Sequence, residues 1–121
     1  DWDRTDDQGN SRELHNDLAI DAINFNMKDD FRVSYAKHDN QSNEMVTCSH
    51  FKTNFLQLSK SIQKLNTFDS FIIYICLEGQ AHFESNNYSE VIEKGETILI
   101  PAILKEFIIN SNNAKLLEVY V

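Results

Sequence analysis

The four histidines of this chain are the side chains best suited to bind a metal or to transfer a proton near neutral pH. Such chemistry needs several donors held at one place, and a single histidine is more often a packing or hydrogen-bonding residue. We therefore expect a structural role for His15. Nothing in the surrounding sequence recruits His38 or His50 as a metal ligand.

His82 and Glu84 stand two residues apart, and a strand would place both on the same face. The alternation leaves Ala81 and Phe83 for the opposite face, and these apolar residues suit a protein interior. We predict that His82 and Glu84 face solvent. The alternative is a position at the mouth of a barrel.

Nucleophilic chemistry has little support in the sequence. Cys48 and His50 are neighbours in one predicted strand without a visible orienting group, and no Ser-His-acid arrangement is indicated. The three glycines form no phosphate-binding loop. Cys48 and Cys76 are not spaced as metal ligands, and we predict two buried free thiols in a reducing compartment, with a disulfide between them as the open alternative.

Composition excludes two classes of partner. The 121 residues suit one domain, and a hydrophobic content of 41% is enough for a packed core. A net charge of -8 without a basic stripe argues against nucleic acid. No apolar run reaches the roughly 18 residues of a membrane span, and the sequence contains no recognisable signal peptide, so we predict a cytoplasmic location without a membrane partner. The start without Met favours a domain boundary.

The elements that would position these residues begin with a helix. Leu14, Leu18 and Ala22 recur every four residues and form an apolar stripe, which predicts one helix over residues 11–24. Asn10 and Glu13 resemble a capping box at its start. The polar, irregular residues that follow, up to residue 43, indicate a linker.

From residue 44 onward, short runs rich in Ile, Val, Phe, Tyr and Thr alternate with turn residues. They lie at 45–48, 51–58, 61–65, 71–77, 81–84, 88–92, 97–100, 106–109 and 116–121. Many short strands at this spacing predict an all-β jelly-roll barrel. Because the strands supply mostly Ile, Leu and Phe, we expect a filled interior rather than a ligand cavity.

Two segments of this region resemble the cupin superfamily. Tyr74–Gly79 reads as a strand that ends in a glycine turn, and Gly95 precedes Pro101 with five residues between them, as in the second cupin motif, G-x5-P-x-G-x2-H-x3-N. Gly95 permits a turn with positive φ, and Pro101 can end a strand at a sheet edge. Asn110 stands where the motif has its Asn. The resemblance implies a cupin-type barrel.

The positions at which cupins hold a metal carry other residues here. Ile103 replaces the second Gly of the motif, and Glu106 replaces the metal-binding His. The first cupin motif has two His and a Glu, where this chain has Leu65, Asn66, Thr67, Phe68 and Ile72. Since a metal site needs several correctly placed donors, we predict a barrel without a metal or another cofactor.

The beginning of the chain is similar to short bacterial type I mannose-6-phosphate isomerases. Asp1–Asp6 resembles the end of an R-x-Y-D-W-D-R segment that leaves the first, zinc-binding cupin of that family, and Arg12–His15 resembles the start of the following helix. Thr47–Phe51 resembles a short cysteine-containing strand that precedes a second cupin. The resemblance covers essentially the whole chain, in order.

This resemblance implies a parent enzyme that interconverts mannose 6-phosphate and fructose 6-phosphate, with zinc in a catalytic cupin upstream of this chain. The implied partners are that upstream domain of the same polypeptide and, in the parent, the sugar phosphate. Arg4 aligns with a basic position near the pocket, which makes it a candidate residue at the edge of the active site. The alternative is a surface arginine paired with a neighbouring aspartate.

Together these inferences predict two regions. Residues 1–43 would be an arm, helix and linker from the preceding catalytic domain, and residues 44–121 would be a metal-free cupin barrel. The chain would then be the non-catalytic C-terminal domain of the isomerase, inactive by itself. The alternative is a stand-alone cupin that binds a small sugar-like ligand, for which convergent polar groups inside the barrel would be evidence.

Overall fold

The computed structural model describes residues 4–11, 14–26, 30 and 32–121. The chain divides into two compact units, Asp1–Arg32 and Val33–Val121. In the first unit, backbone pairing between Thr5 and Ser11 closes a turn in which the Asp6 carboxylate accepts a hydrogen bond from the amide of Asn10. Within the described residues, no helix has the length and apolar character of a membrane span.

The predicted helix is present but shorter than residues 11–24. Helix α1 spans Asn16–Ala22 and begins after His15, whose side chain makes no capping hydrogen bond. The predicted capping partner Glu13 lies outside the described residues. Leu14 and Leu18 of the apolar stripe are exposed, so the helix buries no residue within its unit. A short helix without tertiary packing is only marginally stable, which explains why α1 is shorter at both ends than predicted.

Every predicted strand is present, with ends that shift by at most a few residues. In the part of the chain that the structure describes there are nine: β1 (Ser42–Thr47), β2 (Lys52–Gln57), β3 (Ile62–Leu65), β4 (Ile72–Glu78), β5 (Gln80–Ser85), β6 (Tyr88–Glu93), β7 (Thr97–Ile100), β8 (Glu106–Asn110) and β9 (Lys115–Tyr120). The all-β jelly-roll prediction is confirmed.

The strands form two antiparallel sheets that enclose one core. The five-stranded sheet has the order β1-β2-β9-β4-β7, and the four-stranded sheet has the order β3-β8-β5-β6. Alternate residues of each strand point inward. The buried core draws on both sheets and includes Leu56, Ile72, Cys76, Ile92, Ile100, Ile109 and Leu116.

Aromatic rings fill the middle of the barrel. The ring of Tyr74 lies 5.1 Å from that of Phe83 and 6.0 Å from that of Phe107, measured between centroids. Tilted and edge-on pairs of this kind are favourable arrangements for buried rings. The prediction of a filled interior holds for this part of the barrel.

The linker before β1 covers part of the outer face of the five-stranded sheet. Tyr35 packs on Phe55 with 5.6 Å between ring centroids. The Asn43 side chain accepts a hydrogen bond from the backbone N–H of His38 and donates to the carbonyl oxygens of His38 and Phe55. Phe55 is therefore buried although it alternates with inward residues.

The turn glycines and the proline predicted from the cupin motif have the expected geometry. Gly79 and Gly95 adopt φ values of 76° and 93°. A Cβ on Gly79 would lie 2.7 Å from the Asn113 backbone oxygen, so the tight β4–β5 connection requires glycine there. Pro101 follows β7 directly, and β7 is an edge strand of its sheet.

Candidate functional site

A buried carboxylate lies inside the barrel near one end. Glu118 is in the middle of β9, with Asn54 of β2 opposite it on one side and Tyr74 of β4 opposite it on the other. All three alternate in phase with the inward residues of their strands. Glu118 is only 3% exposed. The interior, which we expected to be filled mostly by Ile, Leu and Phe, therefore also contains polar groups at this end.

Four side chains donate hydrogen bonds to the two oxygens of this carboxylate. Tyr74 Oη and Lys64 Nζ lie 2.6 Å and 2.5 Å from Oε1. Ser42 Oγ and Asn54 Nδ2 lie 2.6 Å and 2.9 Å from Oε2. Because Lys64 belongs to β3 of the opposite sheet, the ion pair links the two sheets across the barrel. We call these five residues the interior cluster.

The charges of the interior cluster hold Glu118 in its ionised form. Burial acts to raise the pKa of Glu118, but the Lys64 ammonium and the hydrogen bonds from Asn54, Lys64 and Ser42 outweigh burial and bring this pKa below the ordinary value of 4.5. Burial beside the carboxylate raises the pKa of the Tyr74 hydroxyl, which stays protonated and donates.

This arrangement is poorly suited to acid–base catalysis. A general base works best when its pKa is near the working pH, and the pKa of Glu118 moves in the opposite direction. Among the described residues, no buried side-chain nitrogen or oxygen lacks a hydrogen-bond partner. The interior cluster therefore offers no unsatisfied group to a ligand.

The residues at the cupin metal positions do not converge on a metal. Glu106 is exposed at the start of β8, and the neighbouring Phe107 faces the core in its place. Asn66 is buried, but its side chain bonds the backbone of Phe68 and Ser70. Ile103 is 87% exposed. Across the described ranges, His, Cys, Asp and Glu form no group of three that could hold a metal ion, so these residues do not fit a zinc site.

A second polar group lies on the outer face of the four-stranded sheet. His82 and Glu84 of β5 face outward, as predicted, with Nδ1 and Oε1 3.2 Å apart. His82 Nε2 lies 2.7 Å from Ser89 Oγ on β6. Asn110 Nδ2 of β8 donates to Glu84 Oε2 at 2.8 Å. We call these four residues the outer-face cluster. Sequence reasoning missed it because Ser89 meets His82 only through strand pairing.

Two concave regions lie beside these residues. A cleft of about 330 Å³ on the outer face is lined in part by Glu84, Glu106 and Ile108. A groove of about 510 Å³ lies between the two sheets at β6 and β7, and apolar side chains such as Ile98 and Leu104 line most of it. Such a lining suits an apolar group rather than a sugar phosphate.

The other residues singled out from the sequence are members of neither cluster. His15, His50 and Arg4 are exposed, and the role of Arg4 at an active-site edge stays a prediction. Cys76 is a buried free thiol, as predicted. Cys48 is free but exposed, which corrects its predicted burial, because it follows the end of β1 in the connection to β2.

Comparisons with known proteins agree with this architecture. A family model described as the mannose-6-phosphate isomerase cupin domain matches residues 41–121. No curated protein sequence gives a significant match.

Among solved structures, the mannose 6-phosphate isomerase of Bacillus subtilis is 21% identical, with a TM-score of 0.65 over 100% of this chain and 38% of that one. A mutant phosphomannose isomerase of Salmonella typhimurium is 20% identical, with a TM-score of 0.61 over 73% of this chain and 23% of its own. A cupin-2 domain protein of Shewanella frigidimarina is 11% identical, with a TM-score of 0.60 over 70% of this chain and 83% of its own. At these identities the similarities show the fold, and the chain spans well under half the length of the two isomerases.

Proposed function

Because this chain belongs to the family of mannose-6-phosphate isomerase cupin domains, we propose that it is the non-catalytic, structural cupin of such an isomerase. The aldose–ketose chemistry and its zinc would then belong to a catalytic domain upstream in the same polypeptide. The barrel would support that domain mechanically.

The observation that carries this proposal is that the polar groups inside the barrel are paired with one another. Inside the barrel, the ammonium of Lys64 neutralises Glu118, and three further side chains saturate the carboxylate. Aromatic rings occupy the space beside this ion pair. A carboxylate that is already paired and hydrogen-bonded in this way offers no free ligand to a metal ion.

The first experiment measures zinc content and isomerase activity of this chain together. After incubation with zinc, we expect substoichiometric metal by elemental analysis and no conversion of mannose 6-phosphate to fructose 6-phosphate. The Bacillus subtilis isomerase is the positive control. Stoichiometric zinc with turnover would overturn the proposal.

Calorimetry with mannose 6-phosphate tests the alternative of a sugar-binding cupin. We expect no heat of binding, because the polar groups inside the barrel already bind each other. Saturable binding that the variant Lys64→Met abolishes would favour the alternative instead.

The supporting role can be tested in a polypeptide that carries an isomerase zinc domain ahead of this chain. Lys64→Met should lower its melting temperature while the zinc content and the KM for mannose 6-phosphate stay unchanged. A raised KM at unchanged stability would mean that the barrel contributes directly to substrate binding.

A further inference from the structure

The outer-face cluster has the connectivity of an activated nucleophile. We propose that it is an acyl-transfer site at which Ser89 attacks small carboxylic esters, His82 accepts the serine proton and Glu84 orients His82. This activity is separate from isomerisation and uses the opposite face of the sheet from the barrel interior.

The order of the contacts, one hydrogen bond and one ion-pair contact on the two nitrogens of His82, is what distinguishes this cluster from an ordinary polar surface. The hydroxyl of Ser89 meets Nε2 of His82 at 2.7 Å, and Nδ1 of the same ring meets Glu84 at 3.2 Å. In the neutral ring, the tautomer that places its hydrogen on Nδ1 faces the carboxylate with a donor, and its Nε2 then presents a lone pair to the serine. Nucleophile, base and orienting acid at these distances are the signature of covalent catalysis.

Strand pairing holds the cluster in place. Glu84 and Ser89 are direct partners across β5 and β6, and His82 is a direct partner of Asn110 across β5 and β8. The amide of Asn110 occupies the second oxygen of Glu84 at 2.8 Å, which fixes the rotation of the carboxylate. Groups supported by adjacent strands are positioned more accurately than groups on loops.

The reaction balances with water as the only co-reactant. Ser89 Oγ bonds to the ester carbonyl carbon while its proton moves to His82 Nε2. The carbonyl then re-forms, the ester C–O bond breaks, and the leaving alkoxide takes the proton from His82. Water, deprotonated by His82 Nε2, next adds to the acyl carbon. The C–O bond to Ser89 then breaks, Ser89 Oγ takes the proton back from His82, and the acyl group leaves as a carboxylic acid.

The proposal assigns stabilisation of the intermediate to backbone amides of β6. In the described part of the chain, β6 pairs only with β5 and is an edge of its sheet. An edge strand presents unpaired N–H groups along its free side, and such groups stabilise the negative oxygen of a tetrahedral intermediate.

The neighbouring cleft defines the substrate class. It shares Glu84 with the cluster, and Ile108 lies beside Glu84 in the same cross-strand row, where it offers an apolar contact for a short acyl chain. The carboxylate of Glu106 also lines this cleft and repels anions. The preferred substrates are therefore short-chain esters that are uncharged or cationic.

The test uses a fluorophosphonate, which reacts covalently with activated serines. Peptide mapping by mass spectrometry should find the adduct on Ser89. Ser89→Ala should abolish it, and His82→Gln should slow its formation by about 100-fold, the scale of general-base assistance. Ser61→Ala, at another exposed serine, is the matched control and should leave labelling unchanged. Labelling of Ser89 no faster than that of Ser61, or unaffected by His82→Gln, would overturn the proposal.

4-Nitrophenyl esters test turnover and substrate charge. Because histidines hydrolyse such esters slowly by themselves, the readout is the acyl group on Ser89 in the intact-mass spectrum rather than colour alone. The acetate and butyrate should acylate Ser89 faster than the anionic succinate, and Glu106→Gln should narrow that difference. Equal rates for all three would contradict the assigned substrate class. Neither assay contains zinc or a sugar phosphate, so its outcome is independent of the proposed isomerase role.

Discussion

The interior cluster and the outer-face cluster use similar groups in opposite surroundings. Each has a carboxylate on a strand, a basic side chain beside it, a hydroxyl and an asparagine amide. The side chain of Glu118 is 4% exposed, whereas that of Glu84 is 42% exposed. Because the interior cluster is buried, substitutions in it should lower the unfolding free energy strongly, and ligands cannot reach it. Because the outer-face cluster is exposed, substitutions in it should lower the unfolding free energy little, and a substrate can reach it.

The difference shows which physical effect, desolvation or screening by water, determines the role of each cluster. Inside the barrel, desolvation means that the charges must be paired and saturated with hydrogen bonds, so they act as structure. On the outer face, water screens the charges and the same kinds of groups add little stability, so their order matters mainly for reactivity. The variants below test this division.

The largest effect is expected from Lys64→Met. The substitution leaves Glu118 buried without its counter-charge, and breaking such a pair costs about 3 kcal/mol of unfolding free energy. Chemical denaturation monitored by circular dichroism would measure the loss. In Lys64→Met with Glu118→Gln, both charges are gone and an acceptor remains, so most of the stability should return. A single variant as stable as the parent would mean that water already solvates Glu118.

The second-largest expected effect is a pH dependence of folding stability that is caused by Glu118. The pKa of Glu118 in the folded chain is below the ordinary value of 4.5. At pH values between the folded and the unfolded pKa, the unfolded chain therefore binds more protons, and stability rises with pH. The contribution is complete above the unfolded pKa and is lost as the pH falls through the lower, folded pKa. Melting temperatures between neutral and strongly acidic pH should show this fall, and Glu118→Gln should flatten it. An unchanged slope in that variant would assign the acid sensitivity to other carboxylates.

A smaller loss is expected from Tyr74→Phe. The ring stays packed between Phe83 and Phe107, but the carboxylate loses one short hydrogen bond, which is worth about 1.5 kcal/mol for a charged acceptor. Tyr120→Phe is the matched control, since among the described residues that hydroxyl accepts a single, long hydrogen bond of 3.4 Å, from Asn54. Equal losses in both variants would show that the hydroxyl of Tyr74 has no special role.

The strands were predictable from sequence because each is a short, local pattern of β-forming residues between turns. The interior cluster was also detectable in principle. Glu118 is two residues from Leu116, and Asn54 is two residues from Leu56, so alternation places both inside the barrel. A count of apolar residues does not reveal Glu118 and Asn54, because most inward positions are Ile, Leu or Phe.

The outer-face cluster lies beyond what the sequence could predict. His82 and Glu84 share a face by alternation, but the partner hydroxyl depends on the register between β5 and β6. Shifting that register by one residue would turn Ser89 to the other face. The short helix is a similar case, because its length depends on packing that periodicity alone does not reveal.

The smallest effect on stability is expected from His82→Ala. This variant distinguishes most clearly between the structural role of the interior cluster and the proposed reactivity of the outer-face cluster. The side chain is 37% exposed, so losing its contacts to Glu84 and Ser89 should cost below about 1 kcal/mol. The same variant should lose nearly all fluorophosphonate labelling of Ser89. Measuring denaturation and labelling on one sample therefore distinguishes a loss of stability from a loss of reactivity. A loss as large as that of Lys64→Met would mean that the outer-face cluster supports the sheet and that exposure alone does not distinguish the two sites.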